Sequence, residues 1–285
     1  MKLLTRQNGF SLLELITVVV ILGVLAAGGG LLITRPIEAY DDMVRRQQLV
    51  DQGEMALRQI ARDVRRALPN SVRVDGTGLA VEMFNTVDGA RYRDENQTLI
   101  GGPADILDFT TADSSFNLLG TLNNPATFSG SYRLAIYNTV ANTLYADAAA
   151  NGVSGVITPD TSTVAFAVSP NYPAEHQITI SAPFQFSQES PGQRVFLVDA
   201  PISYVCDIGN SRIVRYRGYT ISAGQLVPPP LDGTTDTVIS QLSSCNMAYA
   251  VGTAQRGGVL TIQIGIDDSG ETINLLHQIH VVNVP

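Results

Sequence analysis

A carboxylate stands at the edge of the most apolar part of this chain. Glu14 is followed by twenty residues without a charged side chain, 15–34, in which Val, Leu, Ile, Ala and Gly dominate. As a helix that rises 1.5 Å per residue, this run covers about 30 Å, the thickness of a bilayer's hydrocarbon core. A charge at mid-bilayer costs roughly 3 kcal/mol, and less near the interface, so such acids usually have a partner. We therefore single out Glu14 as a candidate functional residue.

The residues before Glu14 allow three interpretations of this segment. Lys2 and Arg6 are the only charges in residues 1–9, and they predict that this leader stays in the cytoplasm while the chain after Arg35 lies outside it. A cleaved secretory signal peptide and a plain uncleaved anchor both share this pattern, and small residues at 24–27 suit a signal peptidase. Neither a signal peptide nor a plain anchor needs a carboxylate at position 14. Glu14 therefore favours a third kind of N-terminal segment.

Residues 9–14 read Gly-Phe-Ser-Leu-Leu-Glu, between a basic leader and an apolar helix. This pattern resembles the class III signal of type IV prepilins. The resemblance implies that a prepilin peptidase, a membrane aspartic protease, cuts between Gly9 and Phe10 and methylates Phe10 as the new N-terminus. It also implies that Glu14 pairs with the α-amino group of a neighbouring subunit in a filament. The pairing is physically reasonable, because a carboxylate and an ammonium group in apolar surroundings compensate each other.

The first helix departs from many major pilins in one respect. Many major pilins carry a proline at the position of Leu31. This chain instead has glycines at 28–30, and its first proline is Pro36. Each glycine weakens a helix by about 1 kcal/mol relative to alanine, and Pro36 is expected to kink or break it. Small residues four apart leave two interpretations open, a flexible anchor or close packing in a helix bundle.

After the apolar run a helical pattern resumes. Apolar residues recur every seven positions, at Met43, Val50, Leu57 and Val64. The period predicts an amphipathic helix over residues 35–68, ended by Pro69, with one face on a β-sheet. Glu54 and Arg58 have the spacing of an ion pair on one helix face. The run Arg-Asp-Val-Arg-Arg-Ala at 62–67 resembles larger minor pilins of the mannose-sensitive haemagglutinin (MSHA) pilus and J-type pseudopilins of type II secretion.

Beyond residue 69 the pattern is that of β-structure. Runs rich in β-branched and aromatic residues predict strands at 71–74, 79–84, 106–110, 132–137, 163–168, 177–180, 194–198, 202–205, 212–219 and 259–266. Asp-Asp-Ser-Gly at 267–270 predicts a hairpin to a last strand at 271–284. Residues 111–130 and 224–237 are predicted loops, and no second helix is predicted.

These segments predict an α+β fold in four parts. Residues 1–9 form a cleaved leader, 10–34 a transmembrane and assembly helix, 35–68 its amphipathic continuation, and 69–285 a β-rich globular domain in the periplasm. The resemblance implies a pilin-like architecture, a long N-terminal helix packed on a mainly antiparallel β-domain.

The chain has two cysteines, Cys206 in a strand-like setting and Cys245 in a loop-like one. In the periplasm, where the anchor's topology would put them, we expect a disulfide, with two buried thiols as the alternative. Closing a loop of about 40 residues would stabilise the fold by roughly 4 kcal/mol in the chain-entropy model. Residues 204–207 and 275–285 also resemble the MSHA minor pilins.

Motifs for catalysis are absent from the sequence. Gly-Val-Ser-Gly at 152–155 lacks the spacing of a nucleophile elbow, and there is no phosphate-binding loop, zinc-protease motif or dinucleotide fingerprint. His277 and His280 are three apart on a predicted strand and so point to opposite faces. The acids at 267–271 are interpreted as a solvated turn rather than a calcium site. We expect no enzymatic activity, no cofactor and no metal.

Charge is distributed unevenly along the chain. From Asp75 onward eight Arg and no Lys stand against nineteen acids, a balance of −11, whereas residues 35–73 carry eight Arg against six acids, +2. An acidic body repels phosphate backbones, so nucleic-acid binding is not expected.

The sequence therefore predicts a single-pass inner-membrane protein with a periplasmic C-terminal domain that later joins a pilus at the cell surface. The implied partners are other pilin subunits, prepilin peptidase and the inner-membrane assembly platform. Three hypotheses remain: an MSHA-type minor pilin that primes or joins a pilus for surface attachment, a minor pseudopilin of type II secretion, and a filament-tip adhesin for carbohydrate.

Overall fold

The computed structural model describes residues 9–95, 104–123, 132–252 and 257–283, without the side chains of 30–34. The chain divides into two compact units, Met1–Val50 and Asp51–Pro285. Its elements are α1 Leu12–Arg65, β1 Arg73–Val74, β2 Ala80–Arg91, β3 Asp113–Asn117, β4 Arg133–Ile136, α2 Ala141–Ala149, β5 Val164–Val168, β6 His176–Phe184, β7 Arg194–Asp207, a 3-10 helix Ile208–Asn210, β8 Arg212–Arg217, β9 Thr234–Ser240, β10 Leu242–Ala250, β11 Gly258–Asp268 and β12 Glu271–Val281.

The fold is α+β, an N-terminal apolar helix followed by a mostly antiparallel β-domain. The strands of the second unit form three sheets: β1-β2-β7-β8-β9 with β4 added to β7, then β10-β11-β12, then β3-β6-β5. Each strand pair among the described residues is antiparallel. The long strand β7 organises the first sheet, because β2, β4 and β8 all hydrogen-bond to it.

The part of α1 that belongs to the second unit is amphipathic, as predicted. Leu57, Ile60 and Val64 are nearly fully buried, while Arg58 on another face is exposed and pairs with Glu54 at 2.6 Å. These apolar residues recur at three- and four-residue spacing, so they share the face that enters the core. The helix therefore supplies part of the core of the β-domain.

A second helix, α2, was not predicted, although its sequence is rich in alanine, the best helix former. Leu144, Tyr145 and Ala148 lie on its buried side and pack with Leu68 and Phe84. Tertiary packing of this short apolar face stabilises a nine-residue helix that would be marginal in isolation.

The predicted terminal hairpin is confirmed. Strands β11 and β12 pair from Asp268↔Glu271 to Gly258↔Val281. Ser269 and Gly270 make the turn with positive φ values of 52° and 87°, the requirement of a type I′ hairpin. Strand β12 ends at Val281, and the last residue of the predicted strand, Val284, lies outside the described part of the chain.

Several element predictions are wrong. The helix does not break at Pro36, which lies inside α1, and it ends at Arg65 rather than at residue 68. Residues 106–110 are not a strand, because the Asp108 carboxylate accepts hydrogen bonds from the backbone and hydroxyl groups of Thr110 and Thr111 and folds them into a turn.

Other differences concern strands in predicted loops. The predicted loop 111–130 contains β3, and its residues 124–130 lie outside the described ranges; the predicted loop 224–237 overlaps the start of β9. The two strands predicted at 194–198 and 202–205 are the single strand β7. Cys245 lies within strand β10, not in a loop. These strands lack a strong alternating pattern, and long-range pairing selects them.

Candidate functional site

The residues expected to be processed lie just before the first helix. Gly9 and Phe10 are outside α1, and Phe10 is 79% exposed. Ser11 caps the helix: its Oγ accepts a hydrogen bond from the Glu14 backbone N–H at 3.2 Å. A serine followed three residues later by a glutamate is the sequence signature of a capping box, so this role of Ser11 was readable from the sequence and was missed. The peptide bond between Gly9 and Phe10 therefore precedes an ordered helix start.

The helix that follows is apolar and uncovered. Leu12–Gly29 has a mean hydropathy of 2.4 over 18 residues, and none of this window is buried within the molecule. It is long and apolar enough to cross a membrane. Covering a large apolar side chain is worth about 1.5–3 kcal/mol, so burial of this helix in lipid or against other apolar helices would be favourable.

Glu14 lies in the first turn of this helix. A carboxylate there is favoured by the partial positive charge of the helix N-terminus, typically by 0.3–1 kcal/mol. The arrangement places an anionic group at one end of the apolar window and directly next to the exposed Phe10 segment. It can bind a cation, such as an ammonium group, at the place where the apolar surface begins.

A second polar site fastens the end of α1 to the β-domain. The Tyr204 hydroxyl donates to the Asp63 carboxylate at 2.6 Å, and the Arg215 guanidinium pairs with the same carboxylate at 2.6 Å. Burial and the neighbouring Asp63 raise the pKa of the Tyr204 phenol far above its ordinary value. Sequence reasoning noted Asp63 only as part of an arginine-rich motif; its docking role depends on residues about 140 positions away.

A buried ionic network joins β1, β2 and the loop after β8. Arg73 and Glu82 pair at 2.6 Å, and the Tyr219 hydroxyl donates to the other carboxylate oxygen of Glu82 at 2.6 Å. Burial raises the pKa of Glu82, while the charge of Arg73 opposes the shift. Arg73 also lies over the Tyr145 ring of α2, 3.5 Å from its centroid. Every charged group here has a partner within the network. We therefore interpret the network as part of the packing of the β-domain.

Cys206 of β7 and Cys245 of β10 are joined by a disulfide with a Cα–Cα distance of 6.3 Å. The bond connects the first sheet to the second, and 39 positions separate the two residues in the chain. No free cysteine is present in the chain.

Metal-binding clusters of three or more His, Cys, Asp or Glu are absent from the residues that the structure describes. His277 and His280 both lie on β12, the first half-buried and the second exposed.

Comparison with known proteins assigns the N-terminal segment alone. Residues 4–30 match the family model described as the prokaryotic N-terminal methylation motif. No curated protein matches the chain, and no solved structure does. The motif supports a type IV pilin-like or pseudopilin protein, a structural class of subunit that prepilin peptidase processes, and the apolar helix fits membrane anchoring.

Proposed function

We propose that this chain is a minor pilin of the type IV class. The observation that carries the proposal is the methylation-motif match over residues 4–30, joined to an uncovered apolar helix with Glu14 in its first turn. The protein acts as a structural subunit and not as an enzyme.

In this proposal each part of the N-terminal segment has one task. Prepilin peptidase cuts between Gly9 and Phe10 and methylates Phe10. The apolar part of α1 holds the subunit in the inner membrane, as a single pass with the C-terminal domain in the periplasm, and later packs in the filament core. There the Glu14 carboxylate pairs with the α-amino group of a neighbouring subunit, so neither charge is left alone in apolar surroundings.

The filament is, in our proposal, an MSHA-type pilus for surface attachment, in which the chain acts like minor pilin O. This assignment rests on the sequence resemblance at 62–67, 204–207 and 275–285. Its partners are other pilins and the inner-membrane assembly platform. A pseudopilin of type II secretion has the same processing and anchor, so co-purification separates the two: recovery with secretion components instead of pilins would contradict the pilus assignment.

Mass spectrometry of the mature chain tests the processing step. Co-expressed with prepilin peptidase, the chain should begin at N-methylated Phe10. Gly9→Val should remain a full-length precursor, while the control Thr17→Val, in the helix and beyond the junction, should be processed normally. A wild-type chain cut elsewhere, or left uncut by an active peptidase, would remove the basis of the proposal.

A second experiment tests the assembly step separately. Glu14→Gln should be cut and methylated normally but should be depleted from sheared filaments, because its neighbour's ammonium group then lacks a counter-charge. Glu38→Gln removes an exposed carboxylate just after the apolar run and serves as the matched control. Equal incorporation of both variants would show that Glu14 has no role in assembly.

A further inference from the structure

A cleft rich in arginine opens where the end of α1 meets β2 and β7. Its volume is about 560 Å³, and four arginines line it: Arg65, Arg66, Arg91 and Arg194. The ring of Phe196 and the side chains of Val87 and Ala90 supply apolar wall, and the lining contains no Asp or Glu. The cleft lies wholly within the second unit.

Backbone pairing brings these arginines together from distant parts of the chain. Strand β2 leaves its register with β7 around Thr86, and there the Thr86 N–H donates to the Arg66 carbonyl at 2.8 Å. Further along, Arg91 and Arg194 stand directly opposite each other on the antiparallel strands. The strand pairing therefore places two positive side chains at one end of the cleft.

Several arginines elsewhere in the second unit are paired with carboxylates. Arg73 pairs with Glu82, Arg215 with Asp63 and Arg217 with Asp236. Within the described part of the chain, by contrast, Arg65 and Arg66 have no such ion pair. Among the residues that the structure describes, the acceptors of Arg91 are both neutral, the Gly192 carbonyl and the Gln193 side-chain oxygen. This concentration of positive charge occurs on a chain whose net charge is −8.

The helix dipole accounts for only part of the cluster. Cations in the last turn of a helix are favourable by about 0.3–1 kcal/mol, which explains Arg65 at the end of α1. It does not explain Arg91, which lies on a strand. A planar guanidinium binds carboxylate or sulfate groups through two parallel hydrogen bonds. The apolar wall beside them suits the carbon face of a ring, and the volume is within the range of small-ligand sites.

We propose that this cleft binds an acidic saccharide, a sugar unit that carries a carboxylate or sulfate group. The guanidinium groups of Arg65, Arg66 and Arg91 hold the anionic group, and the Phe196 ring lies against the sugar. The site goes beyond the proposed function, because processing and assembly involve residues 9–34 whereas this cleft lies in the β-domain.

Isothermal titration calorimetry on the full chain in an uncharged polyoxyethylene detergent tests this inference. The probes are an unsulfated uronate disaccharide, a sulfated uronate disaccharide, the neutral disaccharide lactose, sodium sulfate and a tetraglutamate peptide. We expect at least one acidic disaccharide to bind at millimolar or lower concentration, to bind more tightly than sulfate or the peptide, and lactose not to bind.

Three variants locate the binding. Arg65→Gln, Arg66→Gln and Arg91→Gln should each weaken the affinity for the acidic disaccharide by about tenfold, the loss expected for one charge-assisted hydrogen-bonding group. Arg62→Gln removes the same charge from the same exposed last turn of α1 without lining the cleft, and it should change the affinity less than about twofold. Arg65 and Arg66 are exposed, so their variants keep the test valid if Arg91→Gln does not fold.

Four results would overturn the inference: no heat from either acidic disaccharide, equal binding of free sulfate, tighter binding of the acidic peptide, or an equal loss in Arg62→Gln. The last would indicate a general charge effect and not a site. Processing at Phe10, measured on the same preparations, remains independent of all four.

Discussion

The Glu14 carboxylate stabilises the start of its own helix. The free energy of this local effect can be compared with the cost of placing the same charge in apolar surroundings. An N-cap such as Ser11 contributes about 1 kcal/mol, and a carboxylate near a helix N-terminus up to a similar amount. A charge at mid-bilayer costs roughly 3 kcal/mol, and less toward the interface. The capping arrangement therefore offsets only part of the cost of Glu14 in apolar surroundings, which is why we assign it a cationic partner.

Asp108 shows how one side chain decides local structure. Its carboxylate accepts four hydrogen bonds from Thr110 and Thr111, and those from Thr110 contribute most to lowering its pKa to about 2. Because the pKa in the folded protein is below the ordinary 3.8, the ionised carboxylate stabilises the fold above that pH. This contribution is lost as the pH falls through the range between these two values.

We predict that Asp108→Asn is less stable than the wild type at neutral pH and that the difference narrows as the pH falls from 3.8 to about 2. Urea denaturation followed by circular dichroism at a series of pH values measures it. Thr110→Val removes a hydrogen-bond donor to the carboxylate and should raise the pKa of Asp108 toward its ordinary value. In that background the stability advantage of the Asp108 carboxylate over the Asp108→Asn variant should therefore be lost at a higher pH. If the stability difference between the wild type and Asp108→Asn did not change with pH, the charge of Asp108 would not contribute to that difference.

At the scale of elements, α1 approaches the hairpin β11–β12 at Gly53. This residue is buried, and a Cβ atom there would come within 2.7 Å of the Ile266 Cδ1 atom and still closer to Leu275. Helix propensity and packing therefore oppose each other at this position. Valine is a better helix former than glycine by a few tenths of a kcal/mol, whereas overpacking a core costs about 1–3 kcal/mol.

Gly53→Val should therefore lower the free energy of unfolding by about 1–2 kcal/mol, as packing outweighs propensity. Gln52→Val, at the exposed neighbouring position, should cost no more than about 0.5 kcal/mol. Urea denaturation of both variants gives the comparison. If Gly53→Val were as stable as the wild type, this result would contradict the tight packing of α1 against the hairpin β11–β12 at Gly53.

For the molecule as a whole, the disulfide is the covalent link between two of the three sheets in the second unit. In the chain-entropy model a loop spanning the 39-residue separation contributes about 4 kcal/mol by restricting the unfolded chain. We predict that the double variant Cys206→Ala/Cys245→Ala has a free energy of unfolding lower by roughly this amount. Reductant should lower the stability of the wild type to that of the double variant and leave the double variant unchanged. Full reduction of the wild type without loss of stability would contradict this account.

Local patterns in the sequence were sufficient for the features that local physics sets. The apolar run, the amphipathic period through Leu57 and Val64, and the Ser269–Gly270 turn each follow from spacing or backbone preference within a few residues. The N-terminal motif belongs to the same class, because a peptidase reads a short contiguous segment. For this reason Gly9, Phe10 and Glu14 could be proposed as functional residues without a structure.

Only the tertiary structure decided the features that depend on residues far apart in sequence. It formed α2 by packing Tyr145 against Phe84, and it joined Cys245 on strand β10 to Cys206 on strand β7 of another sheet. It also brought Arg65 and Arg66 beside Arg91 and Arg194, through a register shift in β2 that no periodicity records. Such contacts form when burial and pairing outweigh local preference, so a window along the chain does not contain them.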